Sequence, residues 1–272
     1  MAVRTEPLSP TPRGAVAKPV MTQDWNNLGF VHWAYPPEVV QQLLPAGLTV
    51  DTYGGSAWVG LIGFSMEDIA TSGGVSAGPL SSFPEVNVRT YVVDPQGRRN
   101  VWFFSLDINR AGPVAVAQTL FGLPYHWGRC SVEAVGDGWE YRVKRRSRQN
   151  ASTRFLVEPG PMIPEADQTS LEIFLTGRWG MSTVRRNQLF HGSVDHERWP
   201  LQRATLVELE DSLVAAAGLP APEDEPVVHF STGVSVKIGR LQRVRLSSTP
   251  QQVPRPDRFR PNLQARGRFA RS

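Results

Sequence analysis

The sequence predicts a mainly β (α+β) domain, an antiparallel barrel or sandwich with a few helices. Three observations carry this expectation. Short apolar runs of strand length recur along the body of the chain, separated by Gly/Pro turns. One of them, residues 83–93, alternates cleanly, with Val86, Val88, Thr90 and Val92 on one face and Glu85, Asn87, Arg89 and Tyr91 on the other. Residues 21–240 hold neither an internal repeat nor a linker long enough to divide domains, so the strands share one core.

Taken in order, residues 28–35 read as a strand. Pro36-Pro37 opens a short helix with apolar positions Val39, Val40, Leu43 and Leu44, stopped by Pro45-Ala46-Gly47. Residues 48–52 and 56–64 flank Tyr53-Gly54-Gly55, a hairpin signal, and a Ser/Gly stretch over 71–82 reads as flexible. After the 83–93 strand, Asp94-Pro95-Gln96-Gly97 has the residues of a tight turn. The chain returns over 100–108, with Ser105 and Asp107 on one face and Trp102, Phe104 and Leu106 on the other. A helix over 114–121 ends at Gly122, and Leu123-Pro124-Tyr125-His126-Trp127 forms a junction. Gly136-Asp137-Gly138 joins two strands, the second over 139–146. Further strands are expected over 153–158, 181–185, 189–195 and 227–238, and helices over 171–176 and 207–217.

Composition removes several classes. With 272 residues, 40% of them apolar, the chain can build a core and is not collagen-like or disordered throughout. No run approaches the roughly eighteen apolar residues of a membrane helix. Residues 1–19 carry four prolines and no apolar centre, unlike a secretory signal. The lone Cys130 excludes an intrachain disulfide and a multi-cysteine zinc site. These features predict a soluble, cytoplasmic protein. Residues 240–272 hold nine arginines against Asp257, a charge of +8, so a chain of net +4 has a body of −4. The expected organisation is a disordered segment over 1–21, one barrel domain over 22–240 and a disordered Arg/Pro-rich tail over 241–272. Lysine is scarce, with only Lys18, Lys144 and Lys237.

The familiar catalytic motifs are missing: there is no phosphate-cradling glycine loop, dinucleotide fingerprint, nucleophile elbow or H-E-x-x-H helix. The five histidines (32, 126, 191, 196 and 229) are scattered, so neither a metal nor another cofactor is expected. The polar face of residues 83–93 is more informative. Were the sheet open, that face would be solvated. Were it closed, Glu85 and Arg89 would point into a lumen, where charge needs a partner. Arg89 and Asn87 would then bind a substrate carboxylate while Glu85, its pKa raised by burial, moves a proton. Tyr91 and Asp107 would extend the polar lining. Tyr125 and His126, presented after a helix stop, would supply an oxyanion donor and an acid or base; an aromatic cluster filling a barrel end explains them equally well.

Several blocks carry a resemblance: Leu44-Pro45-Ala46-Gly47-Leu48-Thr49-Val50-Asp51, Ala57-Trp58-Val59-Gly60, Phe83-Pro84-Glu85-Val86-Asn87-Val88-Arg89-Thr90-Tyr91-Val92, Trp102-Phe103-Phe104-Ser105-Leu106-Asp107, Leu123-Pro124-Tyr125 and His196-Glu197-Arg198-Trp199-Pro200-Leu201. Over residues 22–240 the chain resembles the YqjF-like family (domain of unknown function 2071), related in fold to acetoacetate decarboxylase. The resemblance implies an acetoacetate-decarboxylase-like antiparallel β-barrel with a few peripheral helices and a polar-lined lumen, and it favours the lumenal reading of Glu85. It also implies that Tyr125 and His126 stand where that enzyme has its lysine pair, one of which forms the Schiff base. Neither residue can form an imine with a ketone. Of the other amines, Lys144 reads as solvated and Lys237 as a minor lumenal candidate.

Two hypotheses of different class follow. The first is a pocket doing imine-free acid–base chemistry on a keto acid or related carboxylate, with Glu85, His126 and Tyr125 catalytic and Arg89, Asn87 and Asp107 binding substrate. The second is a non-catalytic ligand-binding or scaffold protein with the same barrel. A third reading is weak nucleic-acid contact through the basic tail. No membrane partner is expected, and the oligomeric state is left open.

Overall fold

The strict alternation of residues 83–93 does form a strand, β5 (Phe83–Val93), and in the computed structural model it is the wall between two chambers. The structure describes residues 4–71, 82–110, 121–146 and 150–245. Ahead of β5 lie β1 (Met21–Tyr35), helix α1 (Pro37–Gln41), β2 (Thr49–Val50), β3 (Thr52–Tyr53) and β4 (Ser56–Thr71). After it come β6 (Arg99–Ile108), β7 (Tyr125–Val135), β8 (Gly138–Arg145) and β9 (Ser152–Met162). They are followed by α2 (Ser170–Thr176), β10 (Gly180–Arg185), β11 (Gln188–His196) and β12 (Leu201–Asp211). Helix α3 (Leu213–Ala216), β13 (Val227–Ile238) and β14 (Gln242–Arg243) complete the described chain.

The mainly β expectation holds, and the sheet closes on itself twice. One ring runs β6-β7-β8-β9-β12-β13-β1-β4-β5 and the other β6-β10-β11-β13-β1-β4-β5. They share β13, β1, β4, β5 and β6. The first ring encloses an apolar core of Val31, Trp33, Val59, Leu61, Val86, Val88, Tyr141 and Phe155 among others. The second encloses the cavity described below.

The rings part where two strands change partners. Along one edge, β6 pairs with β10 at Val101 and Trp102 and with β7 from Leu106 onward, both in parallel. Similarly, one edge of β13 pairs with β12 at His229 to Ser231 and with β11 at Val236 to Ile238. These two short parallel contacts sit in an otherwise antiparallel sheet; parallel neighbours are joined by long crossovers, which leave no turn signature in sequence. Between the two pairing zones of β13 sits Gly233, at φ +141°. A Cβ there would lie 2.3 Å from the Trp25 carbonyl oxygen, so the fork requires glycine. The packed ring also depends on a glycine pair: Gly29 and Gly63 face each other across β1 and β4. The Tyr141 ring fills the space above them, and its hydroxyl donates to the Asn27 carbonyl at 2.8 Å.

Several local expectations change. The helix expected over 207–217 is mostly the end of β12, where exposed Val207 and Leu209 alternate along a strand paired with β9; only Leu213–Ala216 is helical. The segment over 4–20, expected to be loose, lies against the barrel: Arg99 Nε donates to Glu6 O, Trp179 Nε1 to Ser9 O, and Val16 N to Asp195 Oδ2. Composition registers how little such a segment buries, not the tertiary hydrogen bonds that hold it. Of the basic tail, residues 241–245 are described, with β14 on β11 and Val244 buried. The remainder of the tail, the Ser/Gly stretch over 72–81 and most of the helix expected over 114–121 lie outside the described residues. Among the described residues, no helix is long and apolar enough to cross a membrane.

Candidate functional site

β5 carries no bulge through residues 83–89, so Phe83, Glu85, Asn87 and Arg89 all reach the second ring's cavity. The cavity measures about 480 Å³. Its walls are largely apolar, with Trp25, Phe64, Phe103, Leu106, Ile108 and Trp199 prominent. Among the described residues, Glu85 is the one acidic side chain in the lining, and Arg89 and Arg178 are its cations.

Glu85 is 2% exposed. Its cross-strand neighbours are Phe64 and Ile108, so little around it solvates charge. Burial pushes its carboxyl up from 4.5 to about 7, against the pull of its hydrogen bonds from Tyr125 and Asn87 and of the Arg89 charge; Asp107 adds to the rise. The Tyr125 hydroxyl donates to Glu85 Oε2 at 3.0 Å and the Asn87 amide to Oε1 at 3.3 Å. The turn that delivers Tyr125 uses Gly122 at φ +67°, packed on the Val184 carbonyl oxygen, and the Pro124 carbonyl accepts from Leu106 N. Burial and the facing carboxylate hold the Tyr125 phenol well above 10, so it remains a donor.

Arg89 is unusual in what it lacks. The residue is 9% exposed, Nε is buried without an acceptor, and no carboxylate pairs with it among the described residues. Its guanidinium carbon lies 5.7 Å from the Phe30 ring and 5.8 Å from the Tyr91 ring. Those faces offset only part of the cost of a buried cation. Asn87 Oδ1 is likewise buried without a donor.

Three of the residues expected in the lumen lie outside its lining, Tyr91 among them. Asp107 and His126 are not in the cavity lining. A bulge between Phe103 and Ser105 shifts the parity of β6: Val101 and Phe103 face the cavity before it, Leu106 and Ile108 after it. Asp107 is thereby turned to the opposite face, where Arg145 grips it with Nε and an Nη at 2.6 and 2.7 Å. His126 is the parallel-strand neighbour of Asp107, so it follows Asp107 away from the cavity that Tyr125 enters. It is half-buried, with its pKa lowered by burial and then by Arg145. Tyr91 points inward but is fully buried; it donates to the Leu175 carbonyl and meets His32 Nε2 at 2.7 Å. All three lysines are exposed and none lines the cavity.

Two further residues line the cavity: Arg178, which the sequence does not single out, and His196, one of the scattered histidines and the first residue of a resembling block. Arg178 follows α2, donates from Nε to the Phe174 carbonyl and is held by Asp51 at 2.6 Å, which also takes Arg99. His196 ends β11 with its ring 4.6 Å from Trp179 and 4.7 Å from Trp199. The Glu197 carbonyl, 2.5 Å from Nδ1, can only accept, so Nδ1 holds the proton and Nε2 keeps its lone pair. Burial lowers its pKa to about 4, leaving a neutral imidazole at pH 7. The signal for Arg178 is faint: Asp51 ends one of the resembling blocks, but nothing in the sequence pairs positions 51 and 178.

The arrangement is therefore a largely apolar, aromatic-walled cavity with one carboxyl poised near neutrality and two guanidiniums. The double-ringed fold that holds it is that of the acetoacetate decarboxylase-like proteins. The chain matches an acetoacetate decarboxylase from Legionella pneumophila subsp. pneumophila str. Philadelphia 1 with a TM-score of 0.63 at 13% identity, covering 88% of this chain and 91% of that one. It matches the enduracididine biosynthesis enzyme MppR complexed with pyruvate with a TM-score of 0.61 at 17% identity (88% and 96% covered). An acetoacetate decarboxylase-like enzyme from Sphingomonas wittichii RW1 gives 0.58 at 14% identity (89% and 99%). At these identities the likeness shows the fold alone. Within it, the chain belongs to the domain of unknown function 2071 family, described as an uncharacterized conserved protein, whose model matches residues 22–235. It is 32% identical over 224 residues to the uncharacterized protein YqjF of Bacillus subtilis (strain 168), covering 82% of this chain and 92% of that protein. The family implied by the sequence blocks is thus the family to which the chain belongs.

Proposed function

We propose that the cavity binds a carboxylate-bearing metabolite and performs imine-free acid–base chemistry on it. The observation that carries this reading is the placement, on one strand face, of a buried guanidinium with no carboxylate partner among the described residues and a carboxyl held near neutral pH. Arg89, assisted by Asn87, receives the ligand carboxylate, which supplies an anion that no described residue provides. Glu85 takes or gives the proton, and a carboxyl at about 7 does either at physiological pH. Tyr125 orients Glu85 through its hydrogen bond and stabilises whichever oxygen gains charge beside it. Enolisation, isomerisation, dehydration and non-covalent decarboxylation of a keto acid all fit this set. A Schiff base does not, because no lysine lines the cavity.

Proton exchange at carbon tests the proposal. Keto acids incubated with the protein in D2O are expected to exchange protons beside the carbonyl, read by NMR, with Glu85→Gln abolishing the exchange and Arg89→Met raising the concentration required. Borohydride is expected to trap no adduct. Ligand-induced melting shifts that survive both substitutions would remove the site. The predominance of apolar wall favours a second reading, a binding protein without turnover. It is distinguished by melting shifts that depend on Arg89 with no exchange at carbon.

A further inference from the structure

The cavity is built for something larger and more apolar than a short keto acid. A four-carbon acid occupies on the order of 100 Å³ at protein packing density, against a cavity of about 480 Å³. Most of the wall would then face water it cannot hydrogen-bond. The two ends of β5 also differ. Around Glu85 the surfaces are Phe64, Phe83 and Ile108, with Trp25 stacked obliquely on Phe64 at 5.3 Å and nearly parallel to Trp199 at 6.2 Å. Arg89 lies four residues on, about 13 Å along the strand.

Charge gathers at that second end. Arg89 and Arg178 flank one ring, their guanidinium carbons 5.8 and 4.4 Å from the Tyr91 centroid. Arg178 is 5% exposed, and one of its terminal nitrogens is buried without an acceptor. Asp51 is shared between Arg178 and Arg99, so one carboxylate answers two cations there and none answers Arg89 among the described residues. Even with Glu85 ionised, the described residues give the arginine end one carboxylate, Asp51, against the three cations Arg89, Arg99 and Arg178.

We infer that the ligand is an aryl or bulky-alkyl carboxylate of on the order of fifteen non-hydrogen atoms, its carboxylate at the Arg89–Arg178 end and its apolar body over Glu85. This rests on the reading of the cavity as a carboxylate site and adds the ligand's body and the second arginine. Proton transfer then falls on carbon remote from the carboxylate, within the apolar part of the molecule.

Calorimetry with three probes separates the claims: 4-phenylbutanoate, its neutral isostere 4-phenylbutan-1-ol, and acetoacetate. The aryl acid is expected to bind at least about thirtyfold more tightly than acetoacetate and at least about tenfold more tightly than the alcohol. Arg178→Met is expected to cost the aryl acid about tenfold and leave the alcohol unchanged, with Arg178→Lys recovering part of the loss. Because Arg178→Met also unpairs Asp51, Phe103→Ala serves as an independent variant: it should weaken both aryl probes and spare acetoacetate, with circular dichroism confirming the fold. Equal binding of acetoacetate and the aryl acid overturns the inference. If acetoacetate also exchanges protons through Glu85, the proposed function still stands. Aryl-acid binding that ignores Arg178 removes the second arginine, and binding that ignores both Arg89 and Glu85 removes the proposed function as well. No binding of the aryl acid up to millimolar concentration likewise overturns the inference.

Discussion

Along β5, Val86 and Val88 enter a chamber filled by Tyr141 and Phe155, whereas Glu85, Asn87 and Arg89, one residue away each time, enter a chamber left open. The five shared strands give both chambers the same backbone, so the contrast lies in side chains and in what closes the far wall. In the packed ring, β8 and β9 bring aromatic rings onto glycines, and the Tyr141 and Phe155 rings stack at 4.6 Å. In the open ring, β10 and β11 bring Met181, Val194 and His196, which stop short of filling the space. One ring holds the fold together; the other carries buried charge that opposes it.

The largest effects should come from the packed ring. Phe155→Ala deletes a fully buried ring and is expected to cost about 3–5 kcal/mol in chemical unfolding. Phe103→Ala, bordering a space already open, should cost about 1 kcal/mol while weakening aryl ligands. Equal losses from the two would erase the contrast. Next comes Asp107→Ala, which strands the buried guanidinium of Arg145 and should cost about 3 kcal/mol. Its ligand affinity should be unchanged, because Asp107 faces away from the open chamber. A selective loss of affinity would show that the β6 bulge does not set the wall.

Glu85→Gln should act in the opposite direction. The folded carboxyl holds its proton up to about pH 7, while the unfolded one releases it near 4.5. Between those values the native state binds more protons, so stability falls as pH rises through the window and is flat outside it. The accumulated cost above pH 7 is on the order of 3 kcal/mol, and glutamine, which mimics the protonated acid, should recover about 2–3 kcal/mol at pH 8. Urea titrations at pH 4.5 and 8 would show it, with little difference between the two proteins at the lower pH. A variant less stable at pH 8 would mean that Glu85 is paired rather than poised.

How far the sequence can be read follows from the same parity. β5 keeps one phase from Phe83 to Arg89, so its faces, and with them Glu85, Asn87 and Arg89, are legible from alternation alone. β6 changes phase at a bulge that no glycine or turn residue announces, and simple alternation puts Asp107 on the wrong side in consequence. β1 changes phase as well, so that Trp25 and Leu28 both line the cavity; there Asn27, at φ +54°, is the only local cue. Arg178 and His196 belong to the second ring, whose parallel pairing of β10 with β6 is long-range and leaves no local pattern. Closure of the sheet is implied by family resemblance, not by periodicity, which leaves barrel and sandwich equal.

The finest test of the two-chamber reading uses adjacent residues. Tyr125 donates to Glu85, and that bond favours the ionised carboxyl; Tyr125→Phe should therefore move the pH midpoint of proton exchange upward while leaving Arg89-dependent affinity intact. His126 lies behind the same wall, beside Asp107 and Arg145, half-buried and shifted toward its neutral form. His126→Ala should shift neither the exchange midpoint nor ligand affinity, and should cost no more than about 1 kcal/mol. The two variants differ by one position along β7, and a strand turns successive side chains to opposite faces. If His126→Ala moved the midpoint as Tyr125→Phe does, proton traffic would cross the wall through Asp107, and the packed chamber would be part of the site. If only Tyr125→Phe moves it, the chemistry ends at Glu85, and the role of the wall is to keep that carboxyl dry.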